Sequence, residues 1–172
     1  ETLLLPAGVD ASRDTQGFIM NRQKDTNSLN IPTTASSSSQ ALSNYVDIID
    51  TINDDVFSIS CWFKLKEIDR TSHIICNRDS ADLGWIVQVD ASNNIKFKIG
   101  DGTDTVTLDS GVNAVLDTWY NVIVTYAGNA GAVIMYVNGI YKHTNTANNV
   151  GNLSSISGKM RIGARSFTSG LN

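Results

Sequence analysis

Two carboxylates stand at alternate positions in Glu67-Ile68-Asp69, the spacing that puts two acids on one face of a strand. Paired acids flanking a scissile bond are what glycosidic hydrolysis requires. Here Lys66 precedes them and Arg70 and Thr71 follow, so no third carboxylate continues the pattern and the segment reads as a solvated turn. His73 and His143 are isolated, and the chain has no Ser-His-Asp order, no His-x-x-x-His pair and no Cys-x-x-Cys. The sequence therefore offers no active site, and the expectation is a chain that is not an enzyme.

Recognition of a sugar is the other chemistry these residue types allow. It needs an aromatic side chain to lie against the apolar face of the ring, with amide, carboxylate or backbone groups beside it for the hydroxyls. Trp62, Trp85 and Tyr141 are the candidates. Trp62 shares the parity of Ser58 and Ser60, opposite Ile59 and Phe63, which puts it on the outer surface of a sheet. The competing assignment for any aromatic in a β-protein is the core. The sequon Asn152-Leu153-Ser154 is an acceptor for N-glycosylation only in a eukaryotic secretory setting.

The elements that would position these residues are strands. Apolar alternation recurs in short segments separated by Gly, Asn, Asp and Ser, and helical periodicity is nearly absent. The expected strands are Tyr45 to Ile49, Val56 to Lys66, His73 to Arg78, Trp85 to Asp90, Ile95 to Gly100, Thr105 to Asp109, Trp119 to Tyr126, Ala132 to Val137 and Lys159 to Arg165. Ala91 to Asn94 reads as a hairpin turn, and Gly111 to Leu116 and Asn145 to Ser157 as polar loops. Gly128 to Gly131 separates two strands rich in Val, Ile and Tyr. Asn138-Gly139 accepts the positive φ of a type I′ turn, so Ile140 must fold back beside Val137. Tyr120, Val122, Val124 and Tyr126 on one face and Trp119 and Ile123 on the other predict a strand in mid-sheet, covered on both sides.

At 172 residues, 41% of them hydrophobic, the chain fits one domain spanning 1–172, with the Ser-rich segment 33–40 as a loop inside it. Leu3 to Leu5 is expected to be an integral strand lying near Lys159 to Arg165, because leucines left in water are costly. With 17 acidic and 13 basic residues and no basic cluster, nucleic acid is not expected as a partner. No apolar run approaches bilayer length, so membrane insertion is not expected either. Glu1 at the start predicts a processed product or part of a longer polypeptide. Cys61 has the parity of Ile59 and Phe63 and so points into the core; free buried thiols at Cys61 and Cys76 are favoured over a bridge.

Three segments together resemble the laminin-G-like, concanavalin A-like jelly-roll superfamily of lectins and glucanases. Asn44 to Ile48, NYVDI, is similar to its first strand; Phe57 to Leu65, FSISCWFKL, to its Trp-bearing strand; and Thr118 to Gly139, TWYNVIVTYAGNAGAVIMYVNG, to its central hairpin. Asn121 stands where many members carry His, and no closing strand follows KMRIGARSF before Asn172. The resemblance implies an all-β, antiparallel jelly-roll β-sandwich lacking its closing strand in this segment, with an edge open to further residues or to neighbouring subunits. It also implies calcium as a possible cofactor, with loop carboxylates as hard ligands: Asp79, Asp82, Asp101 and Asp104 are the candidates, weighed against ordinary turn roles for Asp. The function it implies is a non-catalytic recognition or adhesion module for a glycan or cell-surface ligand, on an extracellular protein or a virion surface such as a phage fibre. A purely architectural domain is the alternative, and a glycoside hydrolase or its appendage a distant third.

Overall fold

The computed structural model describes residues 29, 45–48, 54, 56–78, 82–129, 131–146, 150–151, 153 and 159–164. The chain divides into two units, Glu1–Pro32 and Thr33–Asn172. Of the first only the exposed Leu29 is described; the architecture below is that of the second. The expected strand at Leu3 to Leu5, the Ser-rich loop 33–40, Asp79 and Asn152 lie outside the described residues.

The described residues of the second unit form ten strands and no helix. They are β1 (Val46–Ile48), β2 (Phe57–Lys64), β3 (Ser72–Arg78), β4 (Leu83–Val89), β5 (Asn94–Asp101), β6 (Thr105–Asn113), β7 (Trp119–Tyr126), β8 (Ala132–Val137), β9 (Ile140–Thr146) and β10 (Met160–Ile162). One sheet has six strands in the order β1-β10-β3-β4-β5-β6, the other four in the order β2-β7-β8-β9. Every pairing is antiparallel, and β10 is paired on both sides, with β1 and with β3. The result is the β-sandwich expected from the alternation, with consecutive meanders supplying most of each sheet.

The core lies between the sheets because period-2 apolar sets face one another across it. Ile59 and Phe63 of β2, Val122, Val124 and Tyr126 of β7 and Val133, Met135 and Val137 of β8 come from one side. Trp85, Val87 and Val89 of β4, Ile95, Phe97 and Ile99 of β5 and Leu108 of β6 come from the other. Phe57 joins the layers, its ring centroid 5.8 Å from that of Trp85 and 5.4 Å from that of Tyr126. Each such large side chain, taken out of water, contributes roughly 1.5–3 kcal/mol.

The local signals read from the sequence match these elements closely. Asn138 (φ 52°) and Gly139 (φ 75°) make the two-residue turn that sets Val137 opposite Ile140. The Asn121 side chain is buried and donates from Nδ2 to the Cys61 carbonyl at 3.2 Å. Its backbone N–H donates to Asn138 Oδ1 at 2.9 Å, tying β7 to the turn. Two expectations need correction. β6 continues through Gly111 to Asn113, where a loop was read, because Gly111 takes a φ of 64° within the strand. β7 is central in its sheet, yet Trp119 and Ile123 on its outer face are only half-buried.

Cys61 and Cys76 are both free thiols. They belong to different sheets, and face-to-face sheets stand roughly 10 Å apart, too far for a bridge. Burial pushes the Cys61 thiol up to about 12.

Candidate ligand-binding cleft

The outer face of the six-stranded sheet carries the polar parity of its strands. Trp85, Val87 and Val89 point into the core, so Ile86 and Gln88 point outward. Register then decides which residues stand beside them. One row across the sheet is Cys76, Ile86, Lys98 and Thr107. The next on one side is Arg78, Gly84, Gly100 and Thr105, and on the other His73, Gln88, Lys96 and Asp109.

Two glycines in this row allow close backbone packing. Between Arg78 and Thr105, Gly84 and Gly100 carry no side chain. Gly100 also lets the neighbouring loops close in: a Cβ at that position would lie 2.5 Å from the Asp82 carbonyl oxygen and 2.8 Å from that of Asp104. Gly84 has a φ of 109°, and a Cβ there would strike the Asn77 carbonyl. On this face lies a half-open cleft of about 220 Å³ lined by His73, Arg78, Asp82, Ile86, Gln88, Lys98, Thr105 and Thr107. Ile86 and Gln88 are buried, while Lys98, Thr105 and Thr107 rise from the two adjacent strands.

Its electrostatics are uneven. The Arg78 guanidinium, 7% exposed, sits 2.5 Å from the Asp82 carboxylate, which is 58% exposed. Lys96, on the same strand and face as Lys98, is held between Asp90 at 2.7 Å and Asp109 at 3.2 Å. These two carboxylates raise the Lys96 ammonium above its ordinary range, and Lys96 lowers Asp90. Lys98, two residues along, has no ion pair among the described residues. The cleft thus presents hydroxyl, amide and imidazole groups with a surplus of positive charge.

The residues singled out in the sequence fall elsewhere. Trp85 is fully buried at 0% exposure, between Phe57 and the rest of the core, and cannot serve as a platform: its parity with Val87 and Val89 sends it inward. Trp62 (64% exposed) and Tyr141 (53%) do reach solvent, but on the outer face of the other sheet. They occupy its two edge strands, β2 and β9, with Tyr136 edge-on to Tyr141 at 6.0 Å and the Lys64 ammonium 5.2 Å over the Trp119 ring. The structure does not bring the three aromatics together.

Asp101 is engaged in a turn. Asp101 Oδ1 accepts the Thr103 and Asp104 N–H groups, both at 2.8 Å, and Oδ2 accepts that of Gly151 at 2.7 Å. The Asp104 bond leads in holding its carboxyl below the ordinary range. Asp82 pairs with Arg78, and no cluster of three or more His, Cys, Asp or Glu suited to a metal occurs among the described residues. Glu67 pairs with Arg70 at 2.5 Å, and Asp69, at a φ of 60°, exchanges hydrogen bonds with the Asn93 side chain at 2.7 and 2.8 Å. Both acids of that pair follow the end of β2 and belong to a turn.

The sequence signal for the cleft was present in K-F-K of β5, T-V-T of β6 and V-Q-V of β4, whose polar members all face outward. Parity gives the face; only the strand register gives the neighbours.

A family model of the concanavalin A-like lectin/glucanases superfamily matches residues 33–171. Among solved structures, the chain is similar to the binding domain of Paraclostridial Mosquitocidal Protein 1, with a TM-score of 0.58 and 13% identity, covering 72% of this chain and 34% of that one. It is similar to the CBM40 of the Ruminococcus gnavus IT-sialidase bound to α2,3 sialyllactose, with a TM-score of 0.52, 13% identity and 64% coverage of both chains. It is also similar to the heptameric SAP-like pentraxin of Limulus polyphemus, at 0.51, 19% identity, and 69% and 56% coverage. The chain thus spans about a third of the first of these structures and under two thirds of the other two. At these identities the likeness is one of fold. No curated protein sequence matches the chain.

Proposed function

The chain belongs to the concanavalin A-like lectin/glucanases superfamily, and from that premise we propose that it is a non-catalytic recognition module that binds a glycan in the cleft of its six-stranded sheet. The observation that carries this reading is the cleft itself: donors and acceptors from four adjacent strands converge on one concavity of the sheet's outer face. At about 220 Å³ it is smaller than the roughly 300–1,000 Å³ usual for drug-sized ligands, which suits one sugar unit at the end or side of a longer glycan. The similar CBM40 was solved with sialyllactose, which supports the class of ligand. The engagement of Glu67 and Asp69 in a turn supports binding without hydrolysis. An extracellular or virion-surface setting, as part of a larger assembly, is the context we propose for such a module.

An architectural role is the second reading. Trp62, Ile140 and Tyr141 are exposed on the four-stranded sheet and its hairpin, and apolar exposure of that kind favours contact with a neighbouring subunit.

Titrating the chain against a broad glycan panel separates the two. The proposal expects binding that falls roughly tenfold in Gln88→Met and Thr107→Val, the loss of one or two hydrogen bonds, with the melting temperature little changed. Failure to bind any saccharide would leave the architectural reading in its place.

A further inference from the structure

Lys96 and Lys98 stand two residues apart on the same face of β5, yet among the described residues only Lys96 meets a carboxylate. Lys96 lies between two carboxylates at 2.7 and 3.2 Å, an arrangement that satisfies its charge and fastens β5 to the β4–β5 turn and to β6. Lys98 lines the cleft, half-buried beside the buried Ile86, with Thr107 as its register partner on β6, and no carboxylate among the described residues reaches it. Removing an ammonium partly from water without an anion is unfavourable, and the cost is recovered when a ligand supplies one. Arg78, one row away across β4, contributes a second cation whose solvent-facing partner, Asp82, leaves the cleft with one positive charge in excess: Arg78 and Lys98 against Asp82. His73 adds an imidazole to the same lining.

We infer that the cleft selects an anionic glycan, with the Lys98 ammonium receiving the acidic group of the sugar. This rests on the glycan-binding reading and narrows it to a ligand class. The shared chemistry is a negative oxygen cluster on a sugar ring, which a carboxylate or a sulfate ester supplies equally well. Gln88, Thr105 and Thr107 are placed to take the hydroxyls around that group.

The test is a titration of the full chain against an array of glycans in neutral, carboxylated and sulfated forms, with Lys98→Gln, Lys98→Arg and Lys96→Gln as variants and thermal melts to confirm folding. The expected result is a preference for acidic over neutral forms that falls roughly tenfold in Lys98→Gln, the scale of one charge-assisted hydrogen bond. Lys98→Arg should keep that preference, and so should Lys96→Gln, which alters charge outside the cleft. Dependence on Lys98 with the carboxylated or the sulfated form identifies the source of the anion. Neutral glycans bound as well as acidic ones, through Gln88 and Thr107, would overturn this inference while leaving the glycan-binding reading intact. Equal losses in Lys96→Gln and Lys98→Gln would overturn it as well, since bulk charge would then explain the preference. Binding of no saccharide in the array would overturn both.

Discussion

Arg78 and Asp82 form an ion pair of 2.5 Å at the mouth of the cleft in which the cation is buried and the anion faces solvent. The asymmetry means that Asp82 tempers the cleft's positive charge without closing it. Asp82→Asn should therefore tighten binding of an acidic glycan about two- to fivefold and steepen its dependence on salt. The same change should cost about 1 kcal/mol of stability, well under the 3–5 of a fully buried pair, because Asp82 is mostly exposed. Calorimetric titration at two ionic strengths, with a urea melt, measures both effects.

Asp101 fixes the loops at one end of the sandwich by accepting three backbone N–H groups, one of them from Gly151, fifty residues on. Its carboxyl is held below the ordinary range, so the group contributes stability that is present above the usual carboxylate pKa and is lost as pH falls through the lowered value. Asp90, lowered chiefly by Lys96, acts in the same direction. Asp101→Asn keeps an acceptor for the turn but cannot accept from both sides, and should cost about 1–2 kcal/mol at neutral pH. The stability of wild type and variant should converge on acidification below about pH 4, as followed by urea denaturation.

Cys61 predicts the opposite limb. Its thiol is raised to about 12 by burial, while the unfolded chain ionises near 9.0. The native state then holds a proton that the unfolded state has released, so stability is unaffected by this group at lower pH and declines as pH rises from about 9 toward 12. Cys61→Val should flatten that alkaline decline, and native Cys61 should react slowly with thiol reagents at pH 8, because little thiolate is present.

Trp62 and Trp85 should respond to alanine substitution in opposite ways. Trp85→Ala removes a fully buried indole packed on Phe57 and should cost about 3–5 kcal/mol, enough to unfold much of the protein. Trp62→Ala should change stability by under roughly 0.5 kcal/mol and leave glycan affinity in place, since the residue lies on the sheet face opposite the cleft. Thermal melts and the glycan titration check each in turn.

The fold was legible in the sequence where the determinants are local. Asn138-Gly139 carries its own turn chemistry, and Trp119 to Val137 alternates so regularly that hairpin and register follow from it. The parity of Cys61 and Trp62 also came through. Trp85 was misassigned by weighing what an indole can do above where L-G-W-I-V-Q-V must put it, in phase with Val87 and Val89. The cleft was not legible, because its strand members come from β3, β4, β5 and β6 and become neighbours only through strand register, which shifts between His73 and Ile75. The turn role weighed for Asp101 could be read from residue type, but not its hydrogen bond from Gly151, which reaches across a loop no pattern reports.

The central claim is that the ligand sits on the six-stranded sheet, and amide chemical-shift mapping on titration with a bound glycan tests it most directly. The account predicts that the largest shifts fall on His73, Arg78, Gln88, Lys98, Thr105 and Thr107. Shifts centred on Trp62, Tyr136 and Tyr141, with those six unmoved, would contradict it.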